Sequence, residues 1–345
     1  NDTATTEIYT LSLHDALPIC FDPCLYQLRD EHNCLVGLLG IHVDDCALGG
    51  HGPVFEASVA KLKERFPFRK WRVRHGEFCG AMYSQQDDGS IRMSMKTSVD
   101  KIKPATIPKG KSTEALLEAH QVKVLRAING SLNWVTSQAR PDLAAQTSFS
   151  QQSFPNPKTK HLKNVNTIVR RAKQHADLDI TFKPIPLQDL AVCCHSDAAF
   201  ANVGNHTQAV FMIAFTHKNL NQGEMSAWNP AAWRSYRLTR AVSSTLAAES
   251  QAMATASGTV EWMCLLLHEI MHGPFDVRES KQVLQQHCPI LVTDCKSLYD
   301  HLQSPSSPTA VEDRRTSIDI TIIKESVRVL NAAVRWVPTD RMIAD

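Results

Sequence analysis

Residues 35–49 set two short apolar runs on either side of Asp44-Asp45, which predicts a β-hairpin with acids at its tip. Between 54 and 66, Val54, Phe55, Val59, Leu62 and Phe66 recur at intervals of three and four, which predicts a helix. Asp87-Asp88-Gly89 marks another hairpin turn. From 114 to 175 the spacing is mostly helical, and Pro141, Pro155 and Pro157 divide it into two or three helices. Lys183-Pro184-Ile185-Pro186 reads as a linker.

Beyond it the pattern changes. An apolar run over 190–194 closes on His195-Ser196-Asp197, and 209–216 and 225–228 are two more strand candidates. Residues 243–272 predict a long helix, relaxed near Gly258. A strand over 289–292 ends in Thr293-Asp294. A loop over 304–309, a helix over 313–330 and a strand over 333–337 complete the chain. Three strands, helix, strand, helices, strand is a mixed α/β order.

The length of 345 residues allows about two domains. The longest apolar stretches, such as 36–43, fall well short of the roughly 18–20 residues of a membrane span, so the expectation is no membrane. The net charge of +2 conceals an asymmetry. Residues 20–187 carry 24 Lys and Arg against 16 Asp and Glu, which suits a polyanionic partner; residues 188–345 carry 13 against 16. The basic residues concentrate at Lys61, Lys63, Arg65, Arg69, Lys70, Arg72 and Arg74, with Phe66, Phe68 and Trp71 between them. That is a candidate surface for phosphate contacts and base stacking, or a solvated basic face over core aromatics. Ten cysteines without a CxxC pair are expected to be free thiols, with Cys193 and Cys194 buried.

The acids of the second half stand in costly positions. The apolar stripe of the long helix runs through Leu246, Met253, Ala256, Val260, Met263, Leu267 and Ile270, and Glu249 falls on it. Glu261 and Glu269 fall off it and are expected to be solvated. A core-facing acid is costly unless a cation or donors satisfy it. Asp197 and Asp294 each end an apolar run, at the carboxyl edge where open α/β sheets place ligands. Each can also be read as a turn or N-cap residue. Converging, the three would repel unless a divalent metal neutralised them, and hard oxygen donors suit Mg²⁺ or Mn²⁺. Two such ions about 3.5–4 Å apart form the clamp that cleaves phosphodiesters. A separate motif, His268-Glu269-Ile270-Met271-His272, matches the HExxH pattern of zinc peptidases. Gly273-Pro274 follows at once and no third ligand is evident, so these histidines are expected at a frayed helix end.

The segments LAVCCHSDAAFAN, STLAAESQA, ILVTDCKSLYDHL and VRWVPTDRMIAD resemble the RNase H domain of copia-type LTR retrotransposon polyproteins. The resemblance implies that Asp197, Glu249, Asp294 and Asp345 hold the RNase H metals, with Asp340 a weaker candidate than Asp345. Glu249 matches the second of two glutamates usual in the family's helix motif. Earlier, DPCLY and GIHVDDCALGG resemble the reverse-transcriptase palm, which implies that Asp44 and Asp45 hold polymerase Mg²⁺; His42 stands where the family has Tyr. FCGAMYSQQDDGSIRMS and INGSLNWVTSQARPDLAAQTSFSQ resemble the segments that follow the palm.

The implied organisation is a partial reverse-transcriptase palm over 20–110 and a helical thumb/connection over 111–187. An RNase H-like mixed five-stranded sheet with flanking helices follows over 188–345. Residues 1–19 resemble translated sequencing-adaptor sequence and are expected to be non-native. The palm's third carboxylate would precede Asp22, so no polymerase activity is expected of these residues; separately, the RNase H helix that would bear Asp345 is expected to be cut short. The implied chemistry is metal-dependent hydrolysis of the RNA strand of an RNA–DNA hybrid, leaving a 3′-hydroxyl and a 5′-phosphate. Implied partners are the hybrid, an RNA template, DNA and other parts of the polyprotein, in a cytoplasmic virus-like particle or the nucleus. Two other readings are a remnant that binds nucleic acid without catalysis and a zinc peptidase.

Overall fold

The computed structural model describes residues 16–203, 206–305, 311 and 313–344. Asp345 and most of the expected 304–309 loop lie outside the described residues, as do residues 1–15. An antiparallel sheet comes first, built in order from β1 (Ala16–Ile19), β2 (Asp22–Arg29), β3 (Leu35–His42) and β4 (Asp45–Gly50). His42 pairs with Asp45, so the hairpin tip is Val43-Asp44, one residue earlier than the expected Asp44-Asp45, and Asp45 opens β4. Helix α1 (Gly52–Arg65) lies on this sheet. A Cβ on Gly37 or Gly50 would come within 2.6 or 2.4 Å of the Phe55 ring, so the close approach of α1 requires glycine there. Residues 16–19, set aside in the sequence as adaptor-like, nevertheless pair with β2 and bury Ile19. The open edge of β2 accepts an extended apolar segment whatever its origin.

The second sheet has the order β5 (His75–Phe78), β6 (Ala81–Gln85), β7 (Ile91–Ser94), β8 (Asp179–Phe182). Between β7 and β8 run α2 (Lys96–Lys101), α3 (Ala119–Gln138), α4 (Ala144–Gln151) and α5 (Thr159–Gln174). Pro141 opens a 3₁₀ turn, and Pro155 and Pro157 lie between α4 and α5, as the spacing predicts. Ala81, Met93 and Ile180 of the sheet share one core with Leu125, Leu132, Leu143, Leu162 and Val165.

The third sheet is mixed. β9 (Leu190–Val203), β10 (His206–His217) and β11 (Trp228–Arg237) run antiparallel, while β12 (Ile290–Thr293) and β13 (Ala333–Trp336) run parallel to β9, in the order β11-β10-β9-β12-β13. Helix α6 (Thr245–His272) covers β9 and β10. Val260, Cys264 and Leu267 of α6 pack there on Val192, Cys194, Phe211, Ile213 and Leu291. The helices α7 (Ser280–Leu284), α8 (Lys296–Gln303) and α9 (Arg314–Leu330) complete the layer, with Ile320 and Ile323 of α9 against Met253. The protein is thus mixed α/β, with a five-stranded sheet and flanking helices.

Two strand expectations change. The strand expected at 225–228 begins only at Trp228 and runs to Arg237. Pro230 and the alternating polar residues disguise it, and both are tolerated because β11 is an edge strand. The run expected to stop at Asp197 continues to Val203, because β10 keeps pairing with it through Asp197↔Val210, Ala198↔Ala209 and Ala199↔Gln208. The helical layer is bonded to the third sheet: Trp233 Nε1 donates to the Thr136 carbonyl at 2.7 Å, and Gln208 Nε2 to Ser148 Oγ at 2.8 Å. Lys183 of the expected linker exchanges two 2.8 Å bonds with the Asn229 amide. Among the described residues no helix is long and apolar enough to cross a membrane.

Candidate metal centre

Parallel register decides what stands beside Asp197. β12 pairs with β9 through Val292↔His195, so two residues further Asp294 comes level with Asp197. There β12 ends and β9 continues, which opens a crevice at the carboxyl end of β12. Helix α6 supplies the third group. Ser244 caps it by accepting from the Ala247 amide at 3.1 Å, and its apolar stripe turns Glu249 inward, where only 3% of the residue is exposed.

One ligand oxygen from each of Asp197, Glu249 and Asp294 lies within 4.8 Å of the others. Among the described residues this is the one group of three or more His, Cys, Asp or Glu residues already gathered so closely. The Ala198 amide donates to Asp197 Oδ1 at 2.7 Å and to Glu249 Oε1 at 3.2 Å. Glu249 Oε2 is buried and accepts from no donor. Burial, then the Asp197 charge and a proton shared with Asp197, and more weakly Asp294, push the Glu249 carboxyl up to about 9. Thr339 Oγ1 donates to Asp294 Oδ2 at 2.7 Å, and Trp336 Nε1 to the Asp294 carbonyl at 2.7 Å.

This donor set fits a hard divalent cation. All three groups offer oxygen, one oxygen is buried without a partner, and burial together with the neighbouring acids pushes the Glu249 carboxyl up. Thr339 and Trp336 were not singled out in the sequence. Thr339 lies in the segment VRWVPTDRMIAD, where only acids were named.

The other expected residues lie elsewhere. His42, Asp44 and Asp45 are exposed on the first hairpin, and no third His, Cys, Asp or Glu joins Asp44 and Asp45 among the described residues. Asp340 is exposed and outside the acidic group, and Asp345 lies outside the described residues. Lys61, Lys63, Arg65, Arg69, Lys70, Arg72 and Arg74 are all exposed. The half-buried rings between them contact one another: Phe68 meets Trp71 edge-on at 5.4 Å, and Lys63 Nζ sits 4.1 Å over Trp71. Arg74 pairs with Asp87 at 2.7 Å.

Two expectations about α6 are corrected. Glu269, expected to be solvated, is 1% exposed and accepts from the Cys20 and Phe21 amides at 2.7 and 3.2 Å. A helical stripe shows what the helix packs inward and not what docks on its outer side. The histidines of the HExxH motif sit in an ordered end: α6 runs to His272 and closes at Gly273, whose φ of 92° suits glycine. Glu269 is committed to the turn after β1, which removes the general base of the peptidase reading.

No protein-family model and no curated protein matches the chain. Among solved structures, RNase H1 from the halophilic archaeon Halobacterium salinarum NRC-1 is similar at 13% identity and a TM-score of 0.28, over 44% of this chain and 87% of that one. The N-terminal RNase H domain of rv2228c from Mycobacterium tuberculosis is similar at 11% identity and a TM-score of 0.28, over 44% and 86%. The foamy viral protease-reverse transcriptase in complex with RNA/DNA hybrid is similar at 9% identity and a TM-score of 0.28. That similarity spans 86% of this chain but only 41% of the viral one.

Proposed function

We propose that the protein handles RNA–DNA hybrids as part of a copia-type retroelement polyprotein, and that residues 188–345 hydrolyse the RNA strand. Asp197, Glu249 and Asp294 would hold Mg²⁺ or Mn²⁺, joined by Asp345. The observation that supports this reading is the convergence of three carboxylates from β9, α6 and β12, one of them buried with an unsatisfied oxygen. A bound divalent cation supplies Lewis-acid polarisation of the phosphate and neutralises developing charge.

The chain's own groups do the rest. The Ala198 amide orients Asp197 and Glu249 together, and Thr339 fixes Asp294. Glu249 would give up its raised-pKa proton where a cation took that place. Lys61, Lys63, Arg65, Arg69, Lys70, Arg72 and Arg74 would track phosphates, since a hybrid is read by shape, backbone and 2′-hydroxyls. Asp44 and Asp45 would contribute to the polymerase metal site of a palm at 20–110, followed by the connection at 111–187. The setting would be a virus-like particle in the cytoplasm, or the nucleus.

The test is a labelled RNA–DNA hybrid incubated with Mg²⁺. The expected result is cleavage of the RNA strand that leaves 3′-hydroxyl ends and disappears in Asp197→Asn. Binding of the hybrid without cleavage, or cleavage that survives Asp197→Asn, would refute the assignment.

A further inference from the structure

The end of α6 remote from Glu249 gathers three imidazoles. His268 is buried, and its Nδ1 lies 3.3 Å from Nε2 of His287. Its ring centroid is 4.6 Å from that of His272, one turn further along, and Phe275 meets it edge-on at 5.3 Å. His287 follows α7 in the segment that leads into β12. His272 is exposed.

We infer that His268, His272 and His287 form a binding site for a borderline transition metal, Zn²⁺, distinct from the carboxylate centre. Zinc–nitrogen bonds of about 2.0–2.1 Å place neighbouring ligands of a tetrahedral ion about 3.3–3.4 Å apart. His268 Nδ1 and His287 Nε2 already have that separation. His272 stands four residues after His268 on the same helical face, the spacing that lets two imidazoles share an ion. Its side chain is exposed, and its ring centroid lies 4.6 Å from that of His268. Burial lowers the His268 imidazole and holds His287 at about 4, so both are neutral near pH 7, the form that ligates metal. Imidazoles suit zinc and the carboxylates suit magnesium, so the two centres separate the two ions by chemistry.

The site is structural rather than hydrolytic, because the Glu269 carboxylate beside it is held by the Cys20 and Phe21 amides. An ion there ties the C-terminal end of α6, whose first turns carry Glu249, to the segment entering β12, which leads to Asp294. It would brace the scaffold of the acidic centre from the far end without touching it.

The experiment uses the full chain, freed of metal with a chelator and titrated with Co²⁺ under a visible spectrum, followed by Zn²⁺. The expected result is one equivalent of Co²⁺ with tetrahedral ligand-field bands, displaced by Zn²⁺ and unchanged in Asp197→Asn. His287→Gln and His272→Gln should each weaken binding by at least about tenfold, since even partners outside the ligand shell cost about 10–100-fold. His272 is exposed, so its variant reports on the ion without risk to folding. Absence of tetrahedral bands would overturn the site and leave His268 and His287 as an N–H···N pair. So would bands that survive His272→Gln and His287→Gln, or that vanish in Asp197→Asn.

Discussion

Replacing Glu249 by Gln separates the electrostatics of the acidic centre from its shape. The glutamate carboxyl titrates near 9 in the folded chain, against 4.5 for an unhindered one. Below pH 4.5 the group is protonated whether the chain is folded or not, so it costs nothing. As pH rises above 4.5 the unfolded chain loses the proton while the folded chain keeps it, and stability falls until about pH 9. The slope is about 1.4 kcal/mol per pH unit, so between pH 5 and pH 8 the wild type loses about 4 kcal/mol that the glutamine variant keeps. The other ionisable groups are common to both proteins and cancel in the comparison. Amide hydrogen exchange of peptides from α6 and β12, in chelator, reads local opening directly. Exchange in the wild type relative to the variant should accelerate by about 1,000-fold from pH 5 to pH 8, since each 1.4 kcal/mol is a factor of ten. Added Mn²⁺ should reverse the effect in the wild type and do nothing in the variant. Parallel pH dependences in the two proteins would refute the reasoning, because they would mean that Glu249 ionises freely.

Two further substitutions probe the supports of the centre. Thr339→Val removes the hydroxyl that donates to Asp294 Oδ2; Mn²⁺ affinity, followed by electron paramagnetic resonance, should drop about 10–100-fold with little change in stability, and an unchanged affinity would discard the positioning role. Glu269→Ala removes the carboxylate that accepts from the Cys20 and Phe21 amides. It should weaken the docking of the β1–β2 turn by about 1.5–3 kcal/mol, seen as faster exchange across 19–29 and not in β12, and unaltered exchange there would show the bonds to be dispensable.

The elements were legible where period and burial agree. The α1 spacing, the α6 stripe with Glu249 on it and, to within one residue, the hairpin at Asp44 could all be read from the chain. β11 could not, because an edge strand tolerates Pro230 and polar faces that a central strand would refuse. The burial of Glu269 was hidden for a different reason: its donors, the Cys20 and Phe21 amides, lie about 250 residues away, and a backbone amide leaves no mark in sequence. The meeting of His287 with His268 depends likewise on where α7 returns the chain.

Asp197 illustrates why a residue can be legible and its setting not. Its acidity marked it, yet it lies within a strand rather than at the end of one. The crevice is made by β12 stopping at Thr293 while β9 goes on, and only register shows that. The difference matters chemically. A carboxylate on a strand tip could swing away from its neighbours and relieve the repulsion, whereas the Asp197 backbone is held by pairing with Val210 and its Oδ1 by the Ala198 amide at 2.7 Å. Asp294 is held by Thr339, and Glu249 by the helix core behind it. With all three fixed, separation is closed as a means of relief. The repulsion must be met by a proton on Glu249 or by a cation between the oxygens, and these two exclude each other. The rigidity that makes the centre costly is therefore what couples it to divalent metal.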